Sequence, residues 1–557
     1  MFPALAASKR RLDRLFFAVA ALIGIAGTLL LFVPDLERAW LLAAMLAAAI
    51  VGASKVKYHH SGIKLTLADF ALAFAGTMPF LVIQYRRAAI GVVAGGSAFI
   101  LAAIATCLLI SGPPLPFGLR VCLFAIAMGV CVLAWQVSGG SVSFRQSVRE
   151  RGCFFSTFVA SLIDMPSWRS EGGLSLRDIA KDPLPLMAAM PASTTPAPDI
   201  IVIQHESIFD PRLFGLAVEP NIEAFLSPAG GLCGALNVDI YGGGSWQSEF
   251  SLLTGLSSAT FGSDAYFIQQ RGVDRFHHTL PRSLATLGYT TMSTSSCRRS
   301  FLNYDEFYRS IGIGERIFSN DFPPPFDVDR FEETNSDAAF LEAALGAIVK
   351  RIARDPAPCF AYTLTNFNHG PHNRRLVPPG NFAAEQIFAA ANLPDPQYVE
   401  YYARLAETAA SWRQLKSKIV MLFPRRPMLI VHYGDHQPVM TRRIEQRLRL
   451  PKNEWRQFRT FYAIEGLNFE LDRSAFPKRA VLDIAFLGTV ALQLAGLPLD
   501  RISATRASLI EDCGEAYFAS SSDRKRRFHR TLVDQGLIDL SAFGQQRPML
   551  PSIGFGR

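Results

Sequence analysis

Asp199-Ile200-Ile201-Val202-Ile203-Gln204-His205 is the stretch whose reading decides the fold. It is a short apolar run rich in β-branched residues that ends in polar ones, the pattern of a strand buried on both faces. Similar runs recur at 290–294, 359–364 and 428–433, with helical patterns between them at 336–354 and 398–422. Strands alternating with helices predict an α/β domain whose mostly parallel sheet is covered on both sides. Ligands of such sheets bind beyond the carboxyl ends of the strands.

The residues after these strands therefore matter most. The first strand runs into Glu206-Ser207, the third into Thr365-Asn366-Phe367-Asn368-His369-Gly370-Pro371-His372, and the fourth into Gly434-Asp435-His436. A loop after the first strand reads Gly242-Gly243-Gly244-Ser245-Trp246-Gln247-Ser248-Glu249-Phe250 and leads into a helical pattern. Glycines let the backbone approach a ligand, and a hydroxyl at a helix mouth sits where N–H groups and the dipole favour an anion. Each feature has a bland reading alone: Ser245 as a helix cap with Glu249 in the first turn, Glu206 capping a turn, His369 in a Gly-Pro turn, Asp435-His436 as a plain loop. Gathered at one sheet edge, they predict a site. Glu, Asp and His together suit a borderline divalent ion such as Mn²⁺ or Zn²⁺.

Half of the 557 residues are hydrophobic, and the excess lies in the first 137. Five apolar runs follow one another there, at 16–33, 39–54, 65–83, 88–111 and 119–137, and most approach the ~20 residues that cross a bilayer. A signal peptide accounts for the first run only. Residues 1–138 are therefore expected to be a transmembrane domain. Lys9, Arg10, Arg11 and Arg14 place the N-terminus in the cytoplasm, and Lys55, Lys57 and Lys64 fall in the second cytoplasmic loop. Arg86 and Arg87 fall on the wrong side. Five crossings put the C-terminal domain outside the cytoplasm, and four or six put it inside.

Residues 139–198 read as a linker: a basic polar stretch, an amphipathic helix at 153–163, then Pro183, Pro185, Pro191, Pro196 and Pro198. The catalytic-type domain is expected over 199–500, with a helix at 481–495 near its end. Residues 501–557 form a basic, partly disordered extension, in which Arg524, Lys525, Arg526, Arg527, His529 and Arg530 read as a solvated face and the tail from Gln545 as poorly ordered. The eight cysteines include no CxxC pair, so they offer neither a disulfide scaffold nor a thiolate zinc site. A net charge of +9 suits work beside anionic lipid, and no nucleic-acid motif accompanies it.

Taken in order, Gln204-His205-Glu206-Ser207, Gly244-Ser245-Trp246-Gln247-Ser248-Glu249-Phe250, Asn368-His369-Gly370-Pro371 and Gly434-Asp435-His436 resemble the lipoteichoic acid synthase and phosphoglycerol transferase branch of the alkaline phosphatase/sulfatase superfamily. Gly62-Ile63-Lys64-Leu65-Thr66-Leu67-Ala68-Asp69 is similar to that branch's G-x-P-L-x-x-x-D segment. The resemblance implies an α-helical membrane domain of about five spans followed by an alkaline phosphatase/sulfatase-like α/β domain. It makes Ser245 the nucleophile, where the synthases carry threonine. Glu206, Asp435 and His436 become metal ligands with the Ser245 oxygen, and His369 contacts phosphate or acts as acid/base. The cofactor implied is a divalent metal ion, Mn²⁺ or Mg²⁺ ahead of Zn²⁺. The donor implied is a membrane phospholipid of the phosphatidylglycerol type, and the acceptor is an extracytoplasmic glycan or polymer. The setting implied is a bacterial cell membrane with the catalytic domain outside the cytoplasm.

The sequence also departs from that pattern. The His, Trp and Arg that hold glycerol phosphate in the synthases are matched by Ser295, Leu302 and Tyr304. Arg298 and Arg299 lie nearby and are expected to bind phosphate, with His372 and Trp246 completing the substrate set. The sulfatase C/S-x-P-x-R signature is absent after Ser245. A phosphoethanolamine transferase, a phosphodiesterase or sulfatase-like hydrolase, and an inactive membrane-anchored binding protein stay open as alternatives.

Overall fold

The computed structural model describes residues 2–61, 64–67, 69, 86–137, 153–163, 174, 176, 179–192, 197–262, 264–299, 301–323, 336–451, 453, 455–473, 481–513 and 515–541. The chain divides into two compact units, 1–171 and 172–557.

The first unit holds helices Phe2–Leu30, Leu36–Ser61, Arg86–Leu109, Phe117–Val137 and Phe154–Ile163. Leu36–Tyr58, Ala89–Leu109 and Phe117–Gln136 are long and apolar enough to cross a membrane, and Leu15–Leu30 is a shorter apolar stretch. The expected span at 65–83 falls almost wholly outside the described residues. Helix Phe2–Leu30 lies antiparallel along Phe117–Val137. Phe17 meets Trp135 with ring centroids 5.8 Å apart, and Arg120 Nη1 donates to the Leu31 carbonyl at the other end. Between these points small residues set the spacing. A methyl group at Gly27 would lie 2.6 Å from Ala127 Cβ, so only glycine permits this approach. Past the second helix, Lys57 Nζ reaches Asp69 Oδ1 at 2.5 Å, and Asp69 Oδ2 accepts from the Thr66 N–H at 2.7 Å.

The second unit is built on an eight-stranded sheet. Its strands are β1 Asp199–His205, β2 Leu232–Asn237, β3 Thr290–Ser295, β4 Glu315–Phe318, β5 Cys359–Leu364, β6 Met428–Gly434, β7 Arg459–Leu467 and β8 Val481–Asp483. The spatial order is β4-β3-β5-β1-β6-β7-β2-β8. All neighbours pair in parallel except those of β7, which runs antiparallel to β6 and β2. The four expected strands are β1, β3, β5 and β6, and they form the continuous centre of this sheet with β4 at the edge.

Each face of the sheet packs its own helical layer because successive strand residues point to opposite sides. Ile200 and Val202 join the cluster around helices Ser245–Thr254, Ile484–Leu494 and Arg501–Cys513, while Ile201 and Ile203 join the one around Asp337–Arg354 and Pro396–Leu422. Truncating a fully buried Leu such as Leu253 to Ala is expected to cost about 2–5 kcal/mol.

Three expectations are corrected here. The helix expected at 481–495 begins with strand β8, because Val481, Leu482 and Asp483 pair with Ala235, Leu236 and Asn237. Asp483 then caps helix Ile484–Leu494 by accepting from the Ala485 N–H at 2.9 Å. The proline-rich segment is not a free linker: Leu184 N–H donates to Thr531 Oγ1 at 2.8 Å, and Met190 pairs with Leu499. The basic cluster is not one solvated face either, since Lys525 and His529 are buried. Lys525 Nζ donates to the Tyr517 and Ser520 carbonyls at 2.8 Å each, and His529 Nε2 meets Tyr517 Oη at 2.6 Å. Helix Asp523–Asp534 therefore closes the domain with one face buried. The tail from Gln545 lies outside the described residues.

Candidate active site and metal centre

The site forms where β1, β6 and the glycine loop meet. Parallel pairing places His205 of β1 opposite Gly434 of β6, so the next residues, Glu206 and Asp435, leave the sheet side by side. Gly242, Gly243 and Gly244 have φ of 82°, 148° and 100°. Three successive residues in this region are accessible only to glycine. The turn they make is tied to the β6 exit by Gly242 N–H donating to the Gln437 carbonyl at 2.9 Å. It delivers Ser245 as the first residue of helix Ser245–Thr254.

Gly244, not Ser245, is the cap of that helix, and no side chain caps it. The Ser245 hydroxyl is turned instead toward the ligand groups. Its Oγ donates to Glu206 Oε2 at 2.6 Å and lies 3.3 Å from His436 Nε2. The bland reading of Ser245 as a cap is thus excluded by geometry. Glu249 is likewise not a first-turn acid. It is buried, accepting from Tyr308 Oη at 2.7 Å and Gln269 Nε2 at 3.2 Å, and burial pushes its carboxyl up to about 8.

Glu206, Asp435 and His436 bring one donor atom each to within 4.8 Å of one another. Asp435 Oδ1 accepts from the N–H groups of Ser207 and His436 at 2.7 Å each, while the buried Oδ2 has no hydrogen-bond partner among the described residues and lies 3.6 Å from His436 Nε2. His436 Nδ1 donates to the Gln437 carbonyl at 3.1 Å, which points Nε2 at the carboxylates, 3.4 Å from Glu206 Oε1. Gln437 is held in turn by the Arg456 and Arg459 carbonyls at 2.7 Å each. An oriented imidazole, an orphaned carboxylate oxygen and a second carboxylate fit a divalent cation.

The electrostatics point the same way. Burial raises the Asp435 carboxyl to about 7, aided by the Glu206 charge. Burial lowers His436, but the Asp435 and Glu206 carboxylates outweigh it and lift the imidazole to about 9. Burial also raises Glu206, yet the His436 charge and hydrogen bond, the His369 charge and the Ser245 hydroxyl together hold it well below the usual carboxylate range. Two buried carboxylates thus compete for one cation, and the imidazolium is the cation present without metal.

His369 stands on the β5 exit loop, its Nδ1 2.7 Å from the Gly370 carbonyl, and its charge is felt at Glu206. Helix Pro396–Leu422 grips this loop with Glu400, Arg404 and Thr408, spaced four residues apart on one helix face. Glu400 Oε1 accepts from the Leu376 N–H at 2.8 Å, and Arg404, fully buried and paired with Glu400 at 2.8 Å, donates to the His369 carbonyl at 2.8 Å and the Arg374 carbonyl at 2.6 Å. Thr408 Oγ1 accepts from Asn368 Nδ2 at 2.7 Å.

The expected substrate residues divide. Trp246 is partly exposed beside Ser245, with Nε1 donating to the Tyr266 carbonyl at 2.7 Å. Arg298 is half-buried on the β3 exit. Arg299 is corrected to a structural clamp: it bonds Asp305 at 2.9 Å, Asp321 at 2.6 Å and the Arg316 carbonyl at 3.1 Å, and it lies over the Phe318 ring. His372 is corrected to a buried loop staple, its Nε2 donating to the Asn368 carbonyl at 3.0 Å with its ring against Tyr401. Tyr304 is fully buried between Phe301 and Tyr308. The sequence reading missed Gln204, whose Nε2 donates to the Ser245 carbonyl at 3.2 Å while Tyr362 and Tyr433 hydroxyls hold its Oε1 at 2.8 and 2.5 Å. A polar residue inside an otherwise apolar strand was the signal available for it.

This architecture defines a doubly wound α/β domain with a serine and a metal-ready carboxylate–imidazole cluster at the carboxyl ends of its central strands. Residues 198–460 match the Sulfatase family model. An uncharacterized protein of Haemophilus influenzae is 23% identical over 314 residues, which are 54% of either chain, so this chain spans about half the length of the curated relative it matches. Among solved structures, the Streptococcus pyogenes phosphoglycerol transferase GacH, in complex with sn-glycerol-1-phosphate, is 17% identical with a TM-score of 0.46, covering 65% of this chain and 89% of its own. The Listeria monocytogenes lipoteichoic acid synthase LtaP is 16% identical with a TM-score of 0.42 over 55% and 76% of the two chains. The integral membrane lipooligosaccharide phosphoethanolamine transferase A of Neisseria meningitidis is 11% identical with a TM-score of 0.49 over 86% and 95%.

Proposed function

We propose that this protein is a membrane-anchored, metal-dependent phosphotransferase of the phosphoglycerol transferase type. It moves a phosphorylated headgroup from a phospholipid such as phosphatidylglycerol to a hydroxyl of an extracytoplasmic glycan or polymer. The observation that carries the reading is the Ser245 hydroxyl, uncommitted to capping and set among Glu206, Asp435 and His436 at a helix N-terminus. The helices long and apolar enough to cross a membrane give the domain a reason to meet a donor that stays in the bilayer.

Glu206, Asp435, His436 and the Ser245 oxygen would hold a divalent ion, Mn²⁺ or Mg²⁺ ahead of Zn²⁺, whose charge lowers the hydroxyl pKa and neutralises phosphate. Ser245 Oγ, its proton released to solvent, attacks phosphorus in line. The Oγ–P bond forms as the bond from phosphorus to the diacylglycerol oxygen breaks, leaving a seryl phosphodiester. His369 donates the proton that the departing diacylglycerol oxygen takes up. The acceptor hydroxyl then attacks phosphorus, gives its proton to His369, and the Oγ–P bond breaks. Helix N–H groups around residue 245 face the phosphate oxygens. Arg298 and Trp246 border the headgroup side. The glycerol-phosphate residues of the resembled family are replaced here by Leu302 and a buried Tyr304, so a phosphoethanolamine headgroup is the second reading.

Full-length protein incubated with divalent metal and headgroup-labelled phosphatidylglycerol is expected to give a labelled protein adduct that Ser245→Ala abolishes. Equal labelling of wild type and variant would overturn the nucleophile. Label carried only from phosphatidylethanolamine would replace the donor while keeping the chemistry.

A further inference from the structure

Helix Ser245–Thr254 starts at Ser245 and is held at its other end by a buried guanidinium. Arg506, on helix Arg501–Cys513, donates from Nη2 to the Thr254 carbonyl at 3.2 Å. A cation is well placed at a helix C-terminus. Gly255 follows with φ 65°, and a methyl group there would lie 2.4 Å from Arg506 Cζ, so the guanidinium rests on bare backbone.

Arg506 stands in a different setting from two other buried arginines of this domain. Arg404 is paired with Glu400 at 2.8 Å, and Arg271 with Asp264 at 2.9 Å. Arg506 is 6% exposed, its Nε has no hydrogen-bond partner among the described residues, and none of their carboxylates forms an ion pair with it. The Asp500 charge is felt at Arg506, but that side chain is 45% exposed and its oxygens accept from His278 Nε2 at 2.9 Å and the Ser503 N–H at 2.7 Å. Burial lowers the Arg506 pKa, yet a guanidinium keeps its proton and its five N–H donors. A buried charge is costly unless something pairs with it.

Arg506 lines a small cavity between four helices. Leu252 and Leu280 close its apolar side, and Ser283 of helix Leu280–Thr286, Thr489 of helix Ile484–Leu494 and Ser503 bring hydroxyls to it. No described residue lining it is acidic. A guanidinium among hydroxyl donors is a set of partners for an anion. The cavity has room for about one water-sized sphere, which is too little for phosphate or a carboxylate and suits a halide.

We propose that this cavity binds one monovalent anion of halide size, such as chloride, between Arg506 and the hydroxyls of Ser283, Thr489 and Ser503. The anion gives the buried guanidinium its counter-charge and steadies the seat of the helix that presents Ser245. The site lies at the far end of that helix from Ser245, about 15 Å along its axis, and it does not rest on the reaction proposed for the metal centre.

Thermal unfolding of the detergent-solubilised full chain tests it, with EDTA present so that no halide acts through a bound metal ion. At constant ionic strength, replacing sodium gluconate by chloride or bromide is expected to raise the midpoint saturably, by about 2–4 °C once the halide reaches about ten times its dissociation constant. Arg506→Met is expected to abolish this dependence. Thr489→Val and Ser283→Ala keep the cation and are expected to raise the halide concentration required by about threefold or more, so the test stands even if Arg506→Met does not fold. Ser245→Ala is expected to keep the halide dependence while losing the labelled adduct, which separates this site from the catalytic reading. Equal midpoints in gluconate and halide, or a halide dependence that survives Arg506→Met, overturn the site. In crystals soaked with bromide, anomalous density beside Arg506 is expected, and a water alone at that position overturns it.

Discussion

His436 and His432 stand four residues apart on one strand and its exit, and their surroundings give them opposite protonation. His436 faces two buried carboxylates and is lifted to about 9. His432 lies on the sheet beside His205 inside Phe225, Trp412 and Phe461, with Trp412 stacked 4.1 Å from it. No ring nitrogen of His205 or His432 has a hydrogen-bond partner among the described residues. Burial drives His205 down to about 3 and His432 well below its ordinary value. The difference teaches that burial alone makes imidazole a neutral packing unit, while burial with carboxylates makes it a cation or a metal ligand.

The sharpest way to break this contrast is substitution. His436→Ala is expected to lower metal-dependent transfer by about a thousandfold or more, because a ligand is lost with an activated nucleophile. His432→Leu is expected to leave transfer within about threefold and to cost about 1–2 kcal/mol through imperfect packing. Comparable activity losses in the two variants, measured with metal content, would dissolve the distinction.

A third histidine environment, the His369 loop, is held by Arg404 together with Glu400 and Thr408. Arg404→Leu leaves Glu400 buried without its cation and is expected to cost about 3–5 kcal/mol, seen as a lowered denaturant midpoint. A loss below about 1 kcal/mol would show that the loop holds itself, since the figure expected for a broken buried pair is larger.

The contrast also has a pH signature. Metal binding must expel the proton of His436, with a pKa of about 9, and that of Asp435, with a pKa of about 7. Apparent metal affinity is therefore expected to rise with pH across this range, by up to about tenfold per unit per proton displaced. Calorimetry in buffers of different ionisation heat counts the protons, and a flat profile would remove His436 from the ligand set. His205 works in the opposite sense for stability. Its folded pKa is depressed, so its contribution is full above about 6.5 and is lost as pH falls toward about 3.

The smallest effect expected belongs to a carboxyl. Glu249 lies one helical turn beyond Ser245, yet no cation faces it, and burial keeps it protonated to about 8. Its raised pKa stabilises the fold most below about 4.5 and loses that contribution as pH rises through 8. Glu249→Gln is expected to change stability by less than about 1 kcal/mol at pH 7 and to stabilise relative to wild type above pH 8. Thermal unfolding at the two pH values checks the crossover.

Much of the centre was legible from the sequence because it obeys local rules. Short runs rich in β-branched or aromatic residues announced β1, β3, β5 and β6, and the candidate site residues follow β1, β5 and β6. The edge was harder. Leu232–Asn237 carries Gly and Ala with little β preference, and Val481–Asp483 looks helical because the helix starts immediately after it. Both become strands only because a neighbouring backbone needs partners.

By itself the sequence determined that three strand ends and a three-glycine loop would place Ser245, Glu206, His369 and Asp435-His436 at one rim. It also determined that long apolar helices precede them. Those are matters of periodicity and of backbone freedom, which neighbouring residues set. Only the tertiary structure decided that Gly244 takes the capping position and frees the Ser245 hydroxyl for Glu206 and His436. Only it paired Arg299 with Asp305 and Asp321 and His372 with the Asn368 carbonyl. The reason is that a side chain's partner, and with it its charge, depends on what distant parts of the chain bring within about 3 Å, a distance at which hydrogen bonds form and local sequence has no say.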